Sequence, residues 1–187
     1  EETYEVNREV EYINEEKGVN SSFINVIEGN SRINLKMRSD EETEINSNGP
    51  FISSKELNKL HQQLSKLIDS DYLFLSGSLA KGMPKDFYAN IMKDTKATVI
   101  LDTLGQPLLE CLKYHPFVIK PNQDELGDLF GLELNDDQEI ICYAKKLQDK
   151  GARHVIVSLG KNGAILVSEE GNVYRTPGIK GEAVNTM

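Results

Sequence analysis

Two short stretches of this 187-residue sequence hold residue types suited to gripping a phosphate and its counter-ion. In Lys120-Pro121-Asn122-Gln123-Asp124-Glu125, proline fixes a turn and sets Asn122 and Glu125 at an i, i+3 separation where a helix begins. An amide and a carboxylate so placed can orient waters around a Mg²⁺ ion that carries nucleotide phosphates, because Mg²⁺ retains several waters. The same spacing is also an N-cap Asn with a capping-box Glu, the commoner origin of the pattern. Lys120 can meet a phosphate or pair with Asp102 across adjacent strand ends. The second stretch, Ser158-Leu159-Gly160-Lys161-Asn162-Gly163, offers backbone N–H groups left open by glycine. It is equally a tight turn into a hairpin. Neither a P-loop nor a dinucleotide-binding glycine pattern is present.

The elements that must hold these residues alternate from Ser53 onward. Ser53 and Glu56 read as a capping box, followed by Leu57, Leu60, Leu64, Leu67 and Ile68 as one buried helical stripe. Tyr72 to Leu75, Ala97 to Leu101, Phe117 to Ile119 and Val155 to Val157 read as strands. Helices are expected over Pro84 to Met92, Leu108 to Lys113, Asp124 to Phe130 and Asp136 to Lys150, the last ended by a left-handed Gly151. Ala164 to Val167 and Val173 to Arg175 read as a hairpin. Strands alternating with helices imply an α/β core whose mainly parallel sheet is covered on both faces. Ligands of such sheets bind beyond the carboxyl ends of the strands. Four of those ends carry polar or glycine-rich turns: Ser76-Gly77-Ser78, Asp102-Thr103, Lys120-Pro121-Asn122 and Ser158-Leu159-Gly160.

The first 50 residues differ. Ile33, Leu35 and Met37 alternate with polar residues as in a half-exposed strand, and Glu42 to Asn46 returns antiparallel. Arg32, Lys36 and Arg38 share one face, which suits either a solvated edge ribbon or a small lid holding an anion. We divide the chain into residues 1–50, lid and flanking segments, and 51–187, a nucleotide-binding core. A formal charge of −9 argues against binding nucleic acid, and no apolar run reaches the length of a membrane span. Cys111 and Cys142 lack metal or redox spacing, which points to reduced thiols and a cytoplasmic setting. His61, His115 and His154 have no second ligand at metal spacing.

At these strand ends the sequence resembles the ribokinase-like PfkB family of carbohydrate kinases. Arg32-Ile33-Asn34-Leu35-Lys36, Glu44-Ile45-Asn46 and Gly49-Pro50 look like the lid of its bacterial 1-phosphofructokinase branch. Ser76-Gly77-Ser78-Leu79, Lys120-Pro121-Asn122 with Glu125, and Val157-Ser158-Leu159-Gly160 with Gly163-Ala164 follow in the family's order. The resemblance implies a three-layer α/β/α core with a β-sheet lid. It also implies transfer of the γ-phosphoryl group of ATP, as its Mg²⁺ complex, to the 6-hydroxyl of fructose 1-phosphate. Arg32 would meet the sugar phosphate, with Lys36 a second candidate, and Ser78 would lie in the sugar-side loop. Lys120, Asn122 and Glu125 would serve the ATP–Mg²⁺ end, the metal through water. Ser158, Gly160 and Gly163 would form the nucleotide loop.

Three departures accompany this resemblance. Ala80 stands where the family usually has proline. The family's upstream glycine-rich sugar-binding segment has no counterpart. Val184-Asn185-Thr186 is followed by Met187 rather than by the Gly-Ala-Gly-Asp whose Asp acts as the family's base. The catalytic Asp is therefore expected beyond Thr186, and the written sequence is expected to join fragments near Glu9 to Tyr12 and at Thr186-Met187. Tagatose-6-phosphate kinase is the alternative activity, and a non-catalytic sugar-phosphate-binding protein is the alternative class. A homodimer, where one forms, is expected to use the hairpin of residues 32–46.

Overall fold

The computed structural model describes residues 16–26, 34–38 and 42–46 (as backbone), 49–80 and 83–179. Two compact units are present: residues 1–66 with 79–83, and residues 67–78 with 84–187.

In the first unit, β1 (Asn34–Arg38) and β2 (Glu42–Asn46) pair antiparallel, with Asn34 opposite Asn46 and Lys36 opposite Glu44. This is the ribbon that the period-two pattern predicts. Helix α1 (Ser54–Leu64) opens with the expected capping box. Ser53 Oγ accepts from the Lys55 amide, and the Glu56 carboxylate accepts the Ser53 amide at 3.1 Å. The Ser53 hydroxyl also donates to Glu56, and this bond holds the Glu56 carboxyl below its ordinary range. The predicted stripe is shorter and shallower than expected. Leu57, Leu60 and Leu64 are half-buried, and Ser65 caps the helix. Beyond the cap, the Asp71 carboxylate accepts the Ile68 amide at 2.8 Å, which bends the chain into a turn and leaves Ile68 58% exposed.

The second unit is a six-stranded sheet in the order β3–β4–β5–β6–β7–β8. Its strands are β3 (Tyr72–Ser76), β4 (Thr98–Asp102), β5 (Val118–Ile119), β6 (His154–Ser158), β7 (Ala164–Val167) and β8 (Val173–Thr176). The first four are parallel, and β6–β7–β8 is an antiparallel meander. Helices α2 (Phe87–Asp94), α3 (Gly105–Leu112), α4 (Gln123–Asp128) and α5 (Asp137–Asp149) connect the parallel strands.

Side-chain alternation divides the sheet sharply. Leu75, Val99, Leu101, Ile119, Val155, Val157, Ile165 and Val167 are buried. Phe87, Tyr88, Ala89, Ile91 and Met92 of α2 are buried, as are Leu108, Cys111, Leu112, Leu126, Ile140, Ala144 and Leu147 of α3 to α5. On the other face Ile100, Val118, Ile156 and Leu166 are half-buried, while Tyr72 and Phe74 are 63% and 69% exposed. Full cover of both faces, expected from the apolar strand runs, is therefore not reached by the described residues.

Helix boundaries shift for local reasons. Pro84 accepts the Phe87 amide in a turn, so α2 starts at Phe87 rather than at the proline. Helix α3 starts before Leu108 because Pro107 falls in the first turn, where its missing N–H has no intrahelical partner to lose. Gly151 ends the α5 segment at φ +127°, where the Leu112 carbonyl approaches too closely for a Cβ.

Candidate functional site

The parallel register of β3 to β6 places the four predicted turns along one sheet edge. Ser76 is level with Asp102, and Leu101 with Ile119, so Lys120 emerges beside Asp102. Asn122 and Ser158 form an isolated parallel bridge, and the Ser158 amide donates to Pro121 O at 3.1 Å. Lys120, Asn122, Glu125 and Ser158 are thus brought together in the second unit.

Lys120 Nζ lies 3.3 Å from Asp102 Oδ1, the pairing foreseen across the strand ends. Both side chains are nearly half exposed, at 47% and 41%. An ion pair in that setting contributes about 0–1 kcal/mol, so little opposes rotation of the ammonium toward an incoming phosphate.

Asn122 and Glu125 form the complete capping box of α4. Asn122 Oδ1 accepts the Glu125 amide at 2.8 Å, and Glu125 Oε2 accepts the Asn122 amide at 2.7 Å. Glu125 Oε1 and the Asn122 amide nitrogen Nδ2 take no part in these two bonds. The structural and chemical readings of the motif are therefore compatible: one oxygen of each side chain builds the helix start, and the rest of each remains for chemistry. Among the described residues no group of three His, Cys, Asp or Glu side chains could by itself hold a metal ion. A single carboxylate fits Mg²⁺ delivered with a phosphate chain, because that ion uses one or two protein oxygens and keeps its waters.

The loop after β6 is a 3-10 turn over Gly160–Asn162. Gly160 is exposed at φ +53° with open space around it. Gly163 has a different reason to be glycine. At φ +94° and ψ −132°, it carries no Cβ where one would meet Pro177 C at 2.6 Å and Gly178 N at 2.7 Å. Its amide donates to Gly160 O at 3.0 Å, so that N–H helps to shape the loop.

Sequence reasoning missed Arg175, whose guanidinium donates to Asp137 Oδ2 at 2.9 Å and to the Asn162 and Thr176 carbonyls at 2.7 Å each. It ties the loop after β6 to β8 and to the first turn of α5. An arginine inside an exposed strand gives no local signal of that fork.

Ser78 is exposed and follows a closely held peptide. Gly77 has φ +92°, and its amide donates to Asp102 O at 3.0 Å. The Gly77 carbonyl accepts from Thr103 Oγ1 at 3.1 Å and from Tyr88 Oη at 3.2 Å, and Tyr88 also reaches Ser76 O at 3.1 Å. Burial pushes the Tyr88 phenol above its ordinary pKa. The Asp102-Thr103 turn was visible in sequence, whereas Tyr88, on another helix, was not.

Lys36 lies in β1, described as backbone, and Arg32 lies outside the described residues, as do Ala183 to Met187, where the family's base would follow. Two of the histidines contact backbone. His115 Nδ1 contacts Gly151 O at 3.1 Å, and His154 Nδ1 accepts the Glu169 amide at 3.2 Å. No helix among the described residues is long and apolar enough to cross a membrane.

A sheet whose successive parallel strands end in polar or glycine-rich turns on one edge defines an α/β protein of the kind that binds ligands beyond its strand ends. Residues 6–187 match the pfkB family carbohydrate kinases, and the chain belongs to that family. It is 38% identical over 175 residues to a 1-phosphofructokinase of Bacillus subtilis, covering 92% of this chain and 57% of that protein. It is equally 38% identical over 182 residues to a D-tagatose-1-phosphate kinase of Bacillus licheniformis, covering 95% of this chain and 59% of the relative. A crystal structure from Staphylococcus aureus, 37% identical, superposes with TM-score 0.76 over 94% of this chain and 58% of its own. Escherichia coli phosphofructokinase-2 shares the fold at 24% identity and TM-score 0.79, over 94% of this chain and 61% of its own. The chain spans somewhat more than half the length of these proteins.

Proposed function

We propose that the complete gene product transfers the γ-phosphoryl group of ATP to the 6-hydroxyl of fructose 1-phosphate, forming fructose 1,6-bisphosphate. The observation that carries this reading is the convergence of Lys120, the Asn122–Glu125 box and the Ser158 loop on one sheet edge of a pfkB-family chain. Lys120 turns from Asp102 to the ATP phosphates, and Ser158 with Gly160 lines the nucleotide. Asn122 and Glu125 Oε1 hold waters of the Mg²⁺ ion, which, when bound, neutralises phosphate charge. Arg32 and Lys36 take the 1-phosphate of the sugar, and Ser78 lies along its hydroxyls. The base is the family's Asp following Thr186. A homodimer through β1 and β2 and a cytoplasmic setting complete the proposal, the latter supported by two unpaired cysteines.

The relatives bring two ketohexose phosphates that carry the phosphate on C1, which favours a 1-phosphate over a 6-phosphate acceptor. A coupled ATP-consumption assay on the complete gene product, with fructose 1-phosphate, tagatose 1-phosphate and tagatose 6-phosphate, tests this. The highest kcat/KM is expected with fructose 1-phosphate. Preference for tagatose 6-phosphate would overturn the acceptor assignment, and ATP consumption with none of the three would overturn the kinase.

A further inference from the structure

We propose that Tyr88 and Thr103 are positioning residues for the sugar-phosphate acceptor, acting through the peptide between Gly77 and Ser78; this rests on the kinase reading above. Neither side chain faces solvent: Tyr88 is 8% exposed and Thr103 7%. Their hydroxyls come from different elements, α2 and the turn after β4, and converge on one carbonyl, that of Gly77, at 3.2 and 3.1 Å. The Tyr88 proton is shared with Ser76 O at 3.1 Å, and the preceding amide is held by Asp102 O at 3.0 Å. The end of β3 is therefore fixed from both sides of Gly77.

The consequence follows from peptide geometry. No cis peptide bond occurs among the described residues, so the N–H of the Gly77–Ser78 peptide points opposite to its C=O. With the Gly77 carbonyl turned to two buried hydroxyls, the Ser78 amide is turned the other way, and Ser78 itself is exposed at the end of β3. Structural satisfaction of buried carbonyls needs one donor per oxygen. Two donors on one glycine carbonyl, at a positive-φ residue beside the expected sugar-side loop, specify the rotation of that peptide as well. The ligand that reads the rotation is the polyhydroxylated acceptor phosphate of the kinase reading, which lies along the loop that this peptide starts.

The test compares Tyr88→Phe, Thr103→Val and Thr103→Ser in the complete gene product. Each deletion is expected to raise KM for fructose 1-phosphate about tenfold while KM for ATP stays within about twofold. Thr103→Ser, which keeps the hydroxyl, is expected to restore the wild-type value. Equal rises in both KM values, no rise at all, or a Ser variant as poor as the Val variant would overturn the proposal. Should Tyr88→Phe not fold, the Thr103 pair alone decides by the same criteria. Should wild type phosphorylate no sugar phosphate, the kinase reading fails separately. Positioning is then read from the Ser78 amide resonance in ¹⁵N–¹H spectra. A shift in Thr103→Val that reverses in Thr103→Ser supports the clamp, and an unmoved resonance refutes it.

Discussion

Gly163 and Gly160 stand three residues apart in one loop, both at positive φ, yet the structure predicts very different costs for adding a methyl group. At Gly160, φ +53° is a left-handed conformation with nothing near the added Cβ, so Gly160→Ala should cost about 1–2 kcal/mol from the backbone alone. At Gly163, the pair φ +94°, ψ −132° belongs to a region that side chains avoid, a penalty of about 1–3 kcal/mol. The Cβ would also press on backbone of Thr176, Pro177 and Gly178, which cannot rotate away as a side-chain end can. Overpacking of that kind adds about 1–3 kcal/mol, giving about 2–6 kcal/mol in all. Urea denaturation of both variants, read at unchanged m, measures the difference. Gly163→Ala should lose clearly more stability than Gly160→Ala, with a midpoint lower by about 1 M or more. Equal losses would refute the close packing of the loop against residues 176–178.

Four further outcomes follow from the structure. Glu125→Gln keeps an acceptor for the Asn122 amide, so stability should change by less than about 1 kcal/mol, while the Mg²⁺ concentration for half-maximal activity rises about tenfold or more. Titration of initial rates with MgCl₂ checks this, and an unchanged Mg²⁺ requirement would remove Glu125 from the metal. Arg175→Ala should raise KM for ATP several-fold, on the order of 1 kcal/mol, with KM for the sugar phosphate unmoved, as steady-state kinetics with each substrate varied would show. Burial pushes the Cys111 thiol up to about 11, whereas Cys142 is exposed. One thiol should therefore react with a disulfide reagent in the native state and two after unfolding. Because the folded state holds the Cys111 proton more tightly than the unfolded chain, that group's contribution to stability should fall as pH rises from about 9 toward 11.

Much of this was legible in the sequence because it is local. The Ser53–Glu56 and Asn122–Glu125 boxes are i, i+3 patterns, and each appears complete in the structure. The strand-end turns were visible because a parallel α/β sheet puts those ends on one edge, and Asp102–Lys120 follows directly from the register. What escaped was set by side chains reaching across elements. Tyr88 meets Gly77 from α2, and Arg175 joins β8, the Asn162 carbonyl and Asp137, contacts that no spacing rule encodes. The packing reason for Gly163 was hidden for a related reason: a glycine needed by a neighbouring backbone looks, in sequence, like any loop glycine. The exposure of Tyr72 and Phe74 among the described residues has no signal in sequence either, because an apolar strand reads the same whichever side its helices cover.

The central claim, that this strand edge serves phosphoryl transfer to a sugar phosphate, meets its most direct test in the product. Incubating the complete gene product with Mg²⁺, ATP and fructose 1-phosphate and following the mixture by ³¹P NMR should show ADP and fructose 1,6-bisphosphate appearing in equal amounts. Binding of fructose 1-phosphate without a new sugar phosphate resonance would contradict the claim and leave a sugar-phosphate-binding protein in its place.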